Sequence, residues 1–162
     1  MWSPTKIVLA AVLLALAPAA RAELRVGDAL PGQLRELDAP ATEGQVVLLD
    51  FWASWCAPCK ASFPVLAQLH RDFAAQGLLI IAVGVDEKPA AYAAFIRKMA
   101  PPFATRHDLK QHLVSAVQVP AMPSSYLFGR DGRLRIIHRG FHGSTTAGEL
   151  RREIQSLLNE KP

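Results

Sequence analysis

The sequence predicts an α/β domain built on a parallel or mixed sheet. Three observations carry that expectation. Apolar runs of strand length, around Val46-Val47-Leu48-Leu49 and from Leu78 to Val85, alternate with segments whose apolar residues recur at helical spacing. The first run stays apolar through Phe51 and Trp52 with one break at Asp50, the pattern of a strand buried on both faces. The two cysteines of the chain, Cys56 and Cys59, stand where that strand gives way to a helix. With 162 residues, about half of them hydrophobic, the chain can bury one full core.

Residues 1–22 read as a signal peptide. Lys6 supplies a positive start, Ile7 to Ala17 an uncharged apolar stretch, and Ala20-Arg21-Ala22 small residues at the cleavage positions. The apolar stretch is shorter than the roughly 20 residues a spanning helix needs, which favours cleavage over an uncleaved anchor. Cleavage is expected after Ala22, leaving residues 23–162 as one domain. Losing Lys6 and Arg21 takes the net charge from +4 to +2. No cysteine lies near the cut, so no lipid anchor is expected. No stretch combines clustered lysine and arginine with aromatics, so nucleic-acid binding is not expected.

In chain order, Glu23 to Gly44 is broken by Gly27-Asp28, Pro31-Gly32 and Ala39-Pro40, with Leu34 and Leu37 on a short strand or turn. Gln45 to Ala53 is the first strand. Cys56 to about Gln76 is the first helix, with Pro58 in its first turn, Pro64 as a kink and Gly77 as its end. After the second strand, Asp86-Glu87-Lys88-Pro89 starts a helix with Tyr92, Phe95, Ile96 and Met99 on its apolar face. Pro101-Pro102 stops it. Leu109, Leu113, Val114 and Val117 suggest a shorter helix before a proline-rich bend from Val119 to Pro123. Tyr126-Leu127-Phe128 is the third strand. An Asp131-Gly132 hairpin returns the chain through Leu134 to His138. Thr146 and Glu149 form a capping box before a last helix with Leu150, Ile154, Leu157 and Leu158 inward. The predicted order is β-α-β-α-α-β-β-α.

A Cys-x-x-Cys between strand and helix points to redox chemistry. A disulfide there closes a four-residue ring, which removes little entropy from the unfolded chain and so makes a poor staple. A zinc site needs two further ligands, and neither a second Cys-x-x-Cys nor a close histidine pair exists. Cys56, at a helix N-terminus, is the expected nucleophile, because unsatisfied N–H groups and the macrodipole there favour a thiolate. Cys59, one turn on and more buried, is expected to resolve the mixed disulfide. Ala57-Pro58 carries no charge and does not fix the redox potential. Asp50 sits among apolar residues, where burial favours its protonated form. It is the expected proton acceptor for Cys59, directly or through water, with a strand-end or capping role as the plainer reading. Trp55 is expected to border the site and shield the sulfurs, and Trp52 to pack beneath. Lys60 and the five scattered histidines are expected to be solvated or satisfied.

Four stretches carry a resemblance to the thioredoxin fold, and within it to exported TlpA-like thiol–disulfide proteins. Leu49 to Lys60 resembles the active-site segment, and Val83-Gly84-Val85-Asp86 resembles the end of the next strand. Met122-Pro123 with Tyr126-Leu127-Phe128 resembles the cis-proline and its strand, and Arg130 to Arg133 the hairpin. The resemblance implies a mixed four- to five-stranded sheet flanked by helices, and a redox-active disulfide between Cys56 and Cys59. It places Met122-Pro123 beside the cysteines, where the Met122 backbone pairs with a substrate strand. It implies exchange with protein substrates through a mixed disulfide, most often in the reducing direction, as in cytochrome c maturation. The sequence departs from the pattern at three points. The segment before Val46 is short, Lys60 and Ser62 stand where Arg and Glu are frequent, and Ala82 falls where classical thioredoxins place a lysine opposite the buried acid. The expectation is a periplasmic or otherwise exported monomeric oxidoreductase without cofactor or metal, fed by a membrane electron-donor protein. A disulfide-forming oxidant and a copper-binding assembly factor on the same fold are the alternatives.

Overall fold

Strand β1 (Val46–Trp52) runs through the middle of a five-stranded mixed sheet in a computed structural model that describes residues 23–160. The expected signal peptide, residues 1–22, lies outside the described residues. Helix α1 (Ala57–Phe73) crosses from β1 to the parallel strand β2 (Leu78–Gly84), and α2 (Pro89–Met99) crosses from β2 to the parallel strand β3 (Ala104–His107). After α3 (His112–Val117), β4 (Ser124–Phe128) returns antiparallel to the other side of β1. Strand β5 (Leu134–Arg139) pairs antiparallel with β4, and α4 (Ser144–Asn159) ends the described chain. The spatial order is β3-β2-β1-β4-β5.

All seven residues of β1 are buried, as the near-continuous apolar run requires for a strand flanked on both edges and covered on both faces. Alternation divides them. Trp52 points at the helices of one face, meeting Phe63 of α1 at 5.2 Å and stacking on Phe95 of α2 at 4.3 Å. Phe51 points to the other face and meets Tyr126 of β4 edge-on at 5.8 Å. Asp50, two residues before Trp52, therefore shares the face that α1 covers. The Trp52 stack explains the glycine at the end of β2. A Cβ on Gly84 would fall 2.7 Å from the Tyr92 ring and 2.8 Å from that of Trp52.

Several local features differ from the expected pattern. Strand β3 is unforeseen: Ala-Thr-Arg-His is short, polar and only half-buried at the sheet edge, so it lacks an apolar signature. The Tyr126 strand is thus the fourth, and it starts at Ser124. Leu109 lies before α3 and is 47% exposed, so it is no part of an apolar helix face. The capping box is absent. Helix α4 starts at Ser144 behind Gly143, and the Thr146 hydroxyl instead accepts from the His142 amide at 3.0 Å. The Asp131-Gly132 hairpin is present: Gly129 accepts from Gly132 and donates to Arg133, and Gly132 at φ +71° closes the turn between the antiparallel strands β4 and β5. The segment around Leu34 and Leu37 is a short 3₁₀ helix (Gly32–Leu37), and only Ala29 bridges to the sheet, at Arg133. Helix α1 continues through Pro64 and tightens into a 3₁₀ turn at Ala74–Gln76 before Gly77.

Arg130 fastens this end of the fold. Its guanidinium donates to the carbonyls of Gly44 (2.8 Å), Gln76 (3.0 Å) and Leu158 (3.3 Å), joining the entries of β1 and β2 to the end of α4. Charge-assisted bonds to carbonyls exceed neutral ones, but this group is partly solvated. Arg130→Ala is expected to destabilise the protein by about 2 kcal/mol, read from the urea midpoint at unchanged slope.

Candidate active site

Chain entry into α1 builds the site. Cys56 has extended backbone (φ −82°, ψ 109°) and caps the helix, with Pro58 in the first turn, where a missing N–H leaves no bond unmade. The cap is a sulfur: the Cys59 amide donates to Cys56 Sγ at 3.2 Å. Cys56 and Cys59 form a disulfide (S–S 2.07 Å, Cα–Cα 5.3 Å), so Sγ here occupies the place the thiolate takes after reduction. A helix N-terminus with an amide aimed at that sulfur stabilises negative charge on it. Cys56 retains 4% exposure and Cys59 none, so an incoming sulfur can reach only the first.

The loop before the cysteines is held by a group that the sequence reading assigned elsewhere. Asp86 was expected to begin α2, but it is buried and turned back toward the loop. Its carboxylate accepts from the Ser54 amide at 3.0 Å and from the Ser54 hydroxyl at 2.7 Å. His107 Nε2 donates to the Asp86 carbonyl at 2.7 Å, and the His107 ring stacks on Tyr92 at 4.3 Å. Thus β3, the unforeseen strand, helps to fix the turn that aims Cys56. A Ser next to Trp-Cys and an Asp ending an apolar strand were the visible signals. Only the parallel pairing of β1 with β2 makes them neighbours.

Trp55 is 71% exposed at the border of the cysteine loop. With Ser54, Val85, Asp86 and Met122 it lines an open hollow of about 570 Å³ beside the cysteine loop. The Met122–Pro123 peptide bond is cis. Pro123 is buried and its carbonyl accepts from Gly140 at 2.8 Å, whereas the Met122 backbone bonds to no other described residue. Met122 and Trp55 therefore share one concave surface, with backbone groups free for an extended partner.

Asp50 does not line that surface. It is 1% exposed, below α1, paired in register with Ala82 on β2 and Ser125 on β4. The Ser125 hydroxyl donates to Oδ1 at 2.6 Å, and Oδ2 has no partner among the described residues. Burial pushes the carboxyl up to about 7, against the lowering effect of the Ser125 hydroxyl. A carboxyl poised near neutrality is chemically suited to take and return a proton. Trp52 is fully buried and Lys60 exposed. Ser62 is buried and donates to the Cys59 carbonyl at 2.9 Å.

The comparisons with known proteins agree with this geometry. The Thioredoxin-like family model matches residues 44–134, more than half of the chain. The thiol-disulfide oxidoreductase ResA of Oceanobacillus iheyensis is 31% identical over 126 residues, covering 72% of this chain and 66% of that protein. ResA of Bacillus subtilis is 30% identical over 100 residues, covering 62% and 56%. The chain thus spans between 56% and 66% of the length of these two curated relatives. A crystal structure described as a thiol:disulfide interchange protein DsbE from Chlorobium tepidum superposes with a TM-score of 0.74 at 33% identity, covering 85% of this chain and 100% of that one. With sheet, cysteine pair and sequence in agreement, the chain belongs to the thioredoxin-like family, in its TlpA-like group.

Proposed function

We propose that the protein is an exported thiol–disulfide oxidoreductase that reduces disulfides in protein substrates. The observation that carries this reading is the asymmetry of the pair: Cys56 Sγ takes an amide hydrogen bond at a helix N-terminus and keeps some exposure, while Cys59 is enclosed. In the reduced protein, the Cys56 thiolate attacks a substrate disulfide. A Cys56–substrate bond forms and the first substrate thiolate leaves. Asp50 takes the proton from Cys59, whose thiolate attacks Cys56 Sγ. The internal disulfide closes and the second substrate thiolate leaves, so two electrons pass to the substrate. Trp55, Met122 and Pro123 supply the surface on which the substrate strand lies.

The basic, apolar and small residues of positions 1–22 support export and cleavage after Ala22, with residues 23–162 as the working domain. Reduction outside the cytoplasm requires electrons from across the membrane, which makes a membrane electron-donor protein the partner. Keeping haem-attachment cysteines reduced for cytochrome c maturation is one task of this chemistry.

The test is covalent capture. Reduced Cys59→Ala protein, mixed with a disulfide-bonded peptide, is expected to accumulate a Cys56–peptide adduct visible by mass spectrometry. Wild type should pass through it and release reduced peptide. Failure of the variant to form an adduct would overturn the assigned order of the sulfurs. A potential near the roughly −270 mV of thioredoxin supports the reducing direction, and one near −120 mV would reverse it.

A further inference from the structure

A polar row crosses the sheet beneath α1. Asp50 on β1 pairs with Ser125 on β4, and Ser125 pairs with His138 on β5. Residues directly opposite in antiparallel register place their side chains on the same face, so all three lie on the side that α1 and α4 cover. On the other flank of Asp50 stands Ala82, which offers it no polar group. Ser125 is thus the one adjacent side chain that contacts the carboxylate, at 2.6 Å.

We propose that Ser125 is a positioning residue for the resolving step: its hydroxyl holds Oδ1 of Asp50, leaving Oδ2 as the atom that takes the Cys59 proton. This rests on the reading of Asp50 as proton acceptor given above. Three observations converge. Ser125 is 7% exposed, so its hydrogen bond does not compete with bulk water. Its donation reaches Oδ1 alone, and Oδ2 is buried without a partner among the described residues. The hydroxyl donates to Oδ1 whether or not Oδ2 carries the proton, and it binds the charged carboxylate more strongly than the neutral acid. The step balances: the Cys59 S–H bond breaks, an O–H bond forms at Oδ2, and the electron pair left on sulfur forms the bond to Cys56.

The charged groups around the row are few. Outward of Ser125, His138 donates from Nε2 to Glu153 at 2.6 Å, and Glu149 lies 3.8 Å from its Nδ1. Both acids belong to α4. Burial and the Ser125 hydroxyl are what shift the Asp50 carboxyl, and no charged side chain contributes.

The experiment is the pH profile of the resolving step, followed from a preformed Cys56–peptide mixed disulfide in the full-length protein. Wild-type rate is expected to rise through the Asp50 titration near pH 7. Ser125→Ala removes a donor to the carboxylate, so its rise is expected about one pH unit higher, leaving roughly fivefold less rate at pH 7. Ser125→Thr keeps the hydroxyl and is expected to restore the wild-type profile. The shift is expected to persist in a His138→Gln background. A Ser125→Ala profile that overlays wild type, with melting unchanged, overturns the proposal if Asp50→Asn alters the profile. If Asp50→Asn also overlays wild type, it is the earlier reading of Asp50 that fails. A shift that vanishes with His138→Gln assigns the effect to His138 and likewise overturns the role of the hydroxyl.

Discussion

Cys56→Ser is expected to lower the reduction of a disulfide peptide by at least about a thousandfold, whereas Cys59→Ser keeps the first covalent step and loses turnover. The two sulfurs are equivalent in composition and differ only in placement. Attack requires a thiolate, and a serine hydroxyl is negligibly ionised near neutral pH. The amide of Cys59 and the N-terminus of α1 act on position 56, so removing its sulfur wastes the one place where the fold stabilises the nucleophile. Position 59 lies under the helix with no exposure, so its sulfur has one reachable target, Cys56 Sγ. Single-turnover rapid quench with mass detection separates the cases. Adduct formation by Cys59→Ser is expected within a few-fold of wild type, and none by Cys56→Ser. Retained capture by Cys56→Ser with loss in Cys59→Ser would invert the assigned order.

The strand and helix that carry the cysteines were legible because each has an extreme local pattern. Seven consecutive buried residues and a Cys-Ala-Pro-Cys helix start leave little freedom of interpretation. The register also followed: Ala82 pairs with Asp50, as strand position predicted. What stayed hidden depends on contacts between distant segments. Ser54 and Asp86 are 32 residues apart, and the local signal at each does not name the other as its partner. Ser125 and Asp50 are 75 apart, and a serine before Tyr-Leu-Phe reads only as the start of a strand. Strand β3 is set by the free edge of β2, not by its own four residues. Thr146 has the spacing of a capping box, but Gly143 starts α4 and turns its hydroxyl to the His142 amide.

Asp50→Asn is expected to make the oxidised protein more stable at alkaline pH while impairing the resolving step. The sign follows from proton binding. Burial raises the folded carboxyl from 3.8 to about 7, so between those values the native state holds a proton that the unfolded chain has released. Stability falls with rising pH wherever the unfolded state binds fewer protons. At about 1.4 kcal/mol per pH unit over that interval, wild type loses about 4 kcal/mol between pH 3 and pH 8 from this group. Asparagine does not titrate. Its amide leaves a buried donor where Oδ2 had no partner, a penalty of about 1–3 kcal/mol that is the same at every pH. The variant is therefore expected to be less stable than wild type at pH 3 and more stable at pH 8, with a crossover between. Urea unfolding of the two oxidised proteins across that range measures it. A stability difference independent of pH would show that Asp50 titrates alike in both states. The fold keeps at its centre an acid that weakens it above neutrality, next to the helix that carries Cys59. A purely structural role would be better served by an apolar side chain there, because Leu48 and Trp52 on the same face are fully buried without any polar partner. The cost to stability and the proton-accepting role proposed for Asp50 thus have one cause, the burial of its carboxyl on the α1 side of the sheet.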